Sequence, residues 1–307
     1  MFKHILIPLD GSAPAEAVLP VAAFLAAKLG ARVTLLHIIE RDAPATIHGA
    51  RHLRLRDEAY AYLDEIRPRA FPPNATVLSH VHEAVFADVA RGIVEHESEL
   101  APDLIVLCAH GSRGLRERIF GRIAQQVVGL GRVPVLLIRP PANGAIRFDC
   151  RTILVPEDGQ PEHEIGLQVA ADLARSTGAQ LELLFVVPTA ATLSGGEAAA
   201  SQLLPGSTRI MLDLAERGAR EHLQQHVAAL VGGASSPALS IIAHVLRGDP
   251  APAVCAAAEK MDATLVVLAT HGKAGAAAFW SGSVAAKIIR DCPRPLLLVP
   301  AQAPGNI

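Results

Sequence analysis

A chain of 307 residues, half of them hydrophobic, is long enough for two domains with a core each and too apolar for a disordered polymer. Its formal net charge of −2 and pI of 6.7 exclude a general attraction to nucleic acid or anionic lipid. No run reaches the roughly 18 uninterrupted apolar residues of a membrane span, and Cys108, Cys150, Cys255 and Cys292, with no CxxC spacing, read as reduced structural thiols of a cytoplasmic protein.

The opening MFKHILIPLDGS carries one lysine and a short apolar run closed by proline and aspartate, which reads as a first strand and not as an export signal. Apolar runs then predict strands over 3–9, 32–39, 76–81, 104–109 and 135–138, with helical spacing over 13–29, 51–67, 85–99 and 123–130 between them. The basic runs RHLRLR (51–56) and RGLRER (113–118) hold positive charge without interleaved aromatics, and the first reads as solvated surface. Further strands are expected over 152–155, 180–187, 239–246, 263–269 and 296–299. Strands alternating with helices indicate α/β architecture, here an open, doubly wound, five-stranded parallel sheet flanked by helices, built twice in tandem.

The duplication is written in the sequence itself. HILIPLDGS returns as TILVPEDGQ, with Ile5 on Ile153, and AAKLGARVTLLHII (26–39) returns as ARSTGAQLELLFVV (174–187), both at an offset of 148. LIVLCAHGSRG (104–114) returns as LVVLATHGKAG (265–275) at an offset of 161, so the second copy holds 13 additional residues, assigned to an inserted loop over the small-residue stretch 190–207. A first domain over 1–140, a turn-rich linker over 141–150 and a second domain over 151–307 follow.

Ligands of such sheets bind outside the carboxyl ends of the strands. Asp10 and Asp158 close the first strands, and His110 and His271 close the fourth, beside the glycine-bearing segments GSRG and THGKAGAAAFWSGS. Glycines there allow close backbone approach, and Ser283 at a helix start offers an anion site, so phosphate is the natural guest. On residue chemistry alone Asp10 and Asp158 serve equally well as helix caps.

IPLDGS, LLHII, LIVLCAHGSRG and VPVLLI in the first copy, with VPEDG, LLFVV, VLRGDP, LVVLATHGKAG and SGSVAAKII in the second, resemble universal stress protein domains. The resemblance covers nearly the whole chain as a tandem pair. It implies two domains paired through their last strands as an intramolecular pseudo-dimer. Members of that family that bind ATP resemble the pattern GxxG, about nine residues, then G[S/T]. On that likeness Gly272, Gly275, Gly282 and Ser283 take phosphates beside His271, while Asp158 and Val186 serve base and ribose with Gly248 nearby. The spacer AAAFWS is six residues, a shorter form. A second nucleotide site would use Asp10, Ile38, Gly111, Gly114, Gly121 and Arg122, but Arg122 stands where Ser or Thr is expected and the GDP element is missing. The expectation is therefore asymmetric: an adenine nucleotide, ATP with Mg2+ as its accompanying ion, in the second copy, with the first mainly pairing or sensing. A protein partner is implied without being identified, and exposed faces of the pseudo-dimer leave a homodimer open.

Two other readings stand beside this one. An ATP-using enzyme of related fold would carry SGGxDS after its first strand, whereas DGS and DGQ stand there and the one SGG (194–196) lies in the insertion. Neither GxGxxG after a strand nor GxxxxGK[ST] occurs, and no dedicated base is assigned, so catalysis is limited to slow ATP hydrolysis. A nucleotide-free interaction protein is the other reading. No metal site is expected: His80 and His82 lack a carboxylate cluster at ligand spacing, and His48 with His52 form only an i, i+4 pair.

Overall fold

The computed structural model describes residues 1–40, 46–47, 50–83, 88–109, 121–140, 148–193, 195–231, 239–271 and 283–301. The chain folds as two compact units, the first comprising Met1–Asp149 with His271 and Pro295–Pro300 and the second Cys150–Thr270 with residues 283–294 and Ala301.

In the first unit, β1 (His4–Pro8), β2 (Arg32–Ile39), β5 (Val77–Glu83), β6 (Leu104–Cys108) and β7 (Val135–Ile138) form a parallel sheet in the order β7-β6-β1-β2-β5. A two-residue ladder, β3 (Thr46–Ile47) with β4 (Ala50–Arg51), stands apart from it. Ile5, Leu6 and Ile7 have no exposed surface, as expected for a parallel strand covered on both faces. The order turns at β1, whose neighbours are β2 and β6, so a crevice opens at the carboxyl ends of β1 and β6. The unit is completed by β12 (Leu296–Ala301), which pairs antiparallel with β7 through Leu297 on Leu136. The last strands of the two sequence copies thus meet, as the family resemblance implies.

Helices α1 (Ala13–Glu16), α2 (Leu19–Leu29), α3 (Arg56–Ala70), α4 (Val89–Glu99) and α5 (Arg122–Leu130) connect these strands. The single helix expected over 13–29 is broken, because Pro20 in the first turn of α2 lacks the N–H that a continuous helix requires. The helix expected from residue 51 starts instead at Arg56, since Arg51 is in the small ladder.

The second unit repeats the plan with β8 (Thr152–Glu157), β9 (Gln180–Val187), β10 (Ile241–Arg247) and β11 (Leu265–His271), parallel in the order β10-β9-β8-β11. Its helices are α6 (Glu164–Thr177), α7 (Gly195–Leu203), α8 (Pro205–Val231), α9 (Pro250–Lys260) and α10 (Val284–Asp291). The insertion expected as a loop is largely helical. Its Ala, Glu, Gln and Leu residues favour helix more than the scattered glycines and serines oppose it, and α8 extends to 27 residues against 15 for α3. Arg247 on β10 ties α8 to the sheet through Glu216 and Asp213.

All four cysteines are free thiols. Cys255 and Cys292, distant in sequence, hydrogen-bond to each other; that bond, then burial, pushes the Cys255 thiol up. Among the described residues no helix is long and apolar enough to cross a membrane.

Candidate functional site

The second unit collects its candidate residues at one edge. Asp158 follows β8, Val186 is the penultimate residue of β9, Gly248 follows β10 and Ser283 precedes α10, while His271, the last residue of β11, belongs to the first unit. The parallel register places these strand ends side by side, with Val186 opposite Leu246.

Each of these residues also serves local structure. The Asp158 carboxylate accepts the Gln160 N–H at 3.0 Å and pairs with His163 Nδ1 at 2.7 Å across a turn in which Gly159 has φ +77°. Burial opposes ionisation of Asp158, but the His163 and Gln160 hydrogen bonds outweigh it and hold the acid below its ordinary value. The same bond raises His163. Gly248 donates its N–H to the Val187 carbonyl at 3.0 Å, and its own carbonyl accepts from Thr192 Oγ1 at 3.3 Å. Ser283 caps α10, its Oγ accepting the Ala286 N–H at 3.1 Å, and no acidic side chain occupies that first turn. A serine hydroxyl both donates and accepts, and the first-turn N–H groups of a helix attract anions, so these groups fit a phosphate. Gly272, Gly275 and Gly282 lie outside the described residues.

The first unit repeats the turn but not its surroundings. Asp10 accepts the Ser12 N–H at 2.9 Å across Gly11, φ +85°, and Ser12 caps α1. Ile38 is buried on β2, with its Cδ1 in the space that Gly92 leaves without a Cβ. Gly121 is the N-cap of α5 with no side chain to offer, and exposed Arg122 begins the helix one position early relative to its counterpart Ser283. Cys108, ending β6, has its thiol pushed up to about 12 by burial and then by the Asp10 charge. His110, Gly111 and Gly114 lie outside the described residues, as does His48. His52 is buried, 3.9 Å from Glu40.

The structure assembles two clusters that sequence reading missed. Glu157, the last residue of β8, is 9% exposed, and its acid is pushed up to about 8 by burial, then by the charges of Asp158 and Glu164. Over it stand His222 and His226 of α8, ring centroids 4.2 Å apart. In the first unit, β5 brings His80 and His82 to His96 of α4, with His80 Nε2 3.1 Å from His96 Nε2. The His222/His226 signal was an i, i+4 pair beyond the insertion assigned to 190–207; His96 carried none.

Two open α/β units, each with an aspartate turn at the switch-point edge of its parallel strands, define a tandem protein of the doubly wound class. The chain belongs to the Universal stress protein family, which it matches over residues 1–139 and again over 150–300. It is 28% identical over 151 residues to the universal stress protein YxiE of Bacillus subtilis (strain 168), covering 45% of this chain and 100% of that protein. A universal stress protein of Methanocaldococcus jannaschii is 26% identical over 148 residues, 46% of this chain and 84% of the relative. Two solved structures share the full-length fold at 16% identity. A functionally unknown protein from Pseudomonas aeruginosa PAO1 gives a TM-score of 0.67 over 98% of this chain and 93% of that one. A universal stress protein from Archaeoglobus fulgidus DSM 4304 gives 0.63 over 99% and 98%.

Proposed function

We propose that this universal stress protein binds ATP at the carboxyl edge of its second unit and alters its contacts with a protein partner according to occupancy. The observation that carries this reading is the helix start at Ser283: a capped, acid-free first turn closes a segment containing Gly272, Gly275 and Gly282. Phosphate bound there would meet oriented N–H groups and the positive end of the helix dipole. Asp158, held ionised by His163, would accept from a ribose hydroxyl or base amine, with Val186 and Gly248 flanking it. Mg2+ would accompany the nucleotide by neutralising phosphate charge. No described residue stands as a dedicated base, so the activity proposed is binding, with slow hydrolysis at most. Free thiols suit a cytoplasmic location.

Titration calorimetry with ATP and Mg2+ on wild type, Gly275→Val and Gly114→Val tests the proposal. The expected outcome is one binding event, lost in Gly275→Val because a β-branched side chain blocks close backbone approach, and retained in Gly114→Val. Binding that survives Gly275→Val moves the site elsewhere. No binding in any form leaves the interaction-protein reading.

A further inference from the structure

We propose that Glu157, His222 and His226 form a site for a divalent first-row transition metal of the zinc type, present in the second unit and absent from the first. His222 and His226 are four residues apart on α8, which puts both rings on one helix face. That face lies over the end of β8: Glu157 Oε2 is 3.9 Å from His222 Nε2 and 3.7 Å from His226 Nδ1. Two ligand atoms on one tetrahedral zinc lie about 3.4 Å apart, so both carboxylate–imidazole spans need to contract by only a few tenths of an ångström, and all three ligand atoms lie within 4.8 Å of one another.

The polar accounting points the same way. His222 Nε2 and His226 Nδ1 are buried and lack a hydrogen-bond partner among the described residues. Buried polar atoms ordinarily find partners, and two orphaned imidazole nitrogens aimed at one buried carboxylate are unusual without a shared cation. The far nitrogen of His226 lies 3.7 Å from Glu164 Oε1, so a side-chain shift of about 0.7 Å would let it donate its proton to that carboxylate and leave Nδ1 as the ligand. His222 packs edge-on to Phe185, which orients its ring, and its side chain remains 26% exposed, giving an ion a way in. Two imidazoles and one carboxylate suit zinc, leaving a fourth position for water.

The first copy shows what the same frame looks like without the ligands. The repeat offset puts buried Leu9 where Glu157 stands. Aligning the buried faces of the two helices, Ala59 and Leu63 on Ala219 and Leu223, puts Tyr62 at His222 and Ile66 at His226. Glu16, the counterpart of Glu164, is instead bound by Tyr62 and Arg69. All three ligands are thus particular to the second copy. In the histidine trio of the first unit two members already engage each other and the backbone: His96 Nδ1 donates to the Gly92 carbonyl at 2.6 Å and His96 Nε2 meets His80 Nε2 at 3.1 Å.

The test uses the full chain, stripped with chelator and without nucleotide. Zinc is titrated by calorimetry, zinc per chain is measured after desalting, and melting is followed with and without the ion. Visible absorption on Co2+ addition reports tetrahedral nitrogen and oxygen ligation. Wild type should bind one equivalent, melt higher with zinc and give tetrahedral cobalt bands. Glu157→Leu and His226→Ile, which install the first copy's residues, should fold and lose all three responses. Glu164→Gln should weaken zinc about tenfold by releasing the His226 proton acceptor. His82→Gln, in the other cluster, should change none of them. Wild type without a zinc response, or folded Glu157→Leu and His226→Ile variants that bind as wild type does, would overturn the proposal. So would loss of the equivalent in His82→Gln, which would move the ion to the first unit.

Discussion

At the end of β1 the chain buries Leu9, and at the matching end of β8 it buries Glu157. The positions that match His163, His222 and His226 near Glu157 are Ala15, Tyr62 and Ile66 in the first copy. The apolar frame is the same in both, with Ile5, Leu6 and Ile7 matched by Ile153, Leu154 and Val155. A duplicated sheet can therefore change the chemistry at a strand end without disturbing the strand, because only the last side chain meets the edge while those before it meet the core. The helix starts diverge similarly: the second copy caps α10 with Ser283, and the first begins α5 from bare Gly121.

The largest effect should come from forcing the second copy's acid into the first. Leu9→Glu places a carboxylate at a buried position where Tyr62 and Ile66 stand in place of His222 and His226, and should cost about 3–5 kcal/mol in denaturant unfolding, the scale of an uncompensated buried charge. A cost under about 1 kcal/mol would erase the distinction between the two edges. The reverse change, Glu157→Leu in chelator-treated protein, should leave stability unchanged or raise it by about 1 kcal/mol or more, because an apolar group replaces a desolvated acid.

A smaller contrast lies at the helix starts. Ser283→Ala should destabilise by about 1 kcal/mol through the lost cap, while Arg122→Ala, an exposed position without a capping role, should stay within about 0.5 kcal/mol. Equal effects would mean that the Ser283 hydroxyl does not hold α10.

The smallest effect concerns Asp158 and His163, a pair absent from the first copy. Asp158 is lowered from its ordinary 3.8, so its share of stability is present above that value and lost as pH falls through the lowered one. His163 is raised from its ordinary 6.5, so its share is complete below that value and lost as pH rises through the raised one. The melting difference between wild type and His163→Ala should be greatest between 3.8 and 6.5 and shrink on both sides. The Asp158 carboxylate is about half exposed, so solvent screens the pair and its size should remain below about 1 kcal/mol. A difference that keeps growing above that window would point to a role for His163 other than pairing.

Much of the fold was legible in the chain. Each expected strand is present within a residue or two, since runs such as HILIPL and RVTLLHII carry their burial in their composition. Helix ends were less legible, because Pro20 divides α1 from α2 and the chain reaches α3 only after a short ladder. The insertion was misread because alanine, glycine and serine show little periodicity, while α8 is held by Thr208, Leu212, Ala219 and Leu223 facing the sheet. The strand-edge aspartates were recognised from position, yet the engagement of Asp158 by His163 was not, because it depends on a turn across Gly159.

The sequence by itself determined the duplication, the alternation of strand and helix, and the edge at which polar residues would gather. These depend on local periodicity and on the rule that parallel strands end together. Only the tertiary structure decided that Glu157 meets His222 and His226, that His96 joins His80 and His82, and that Cys255 lies beside Cys292. Such meetings depend on how a helix rotates and slides over its sheet. Dozens of weak apolar contacts set that register together, and no stretch of sequence contains it alone.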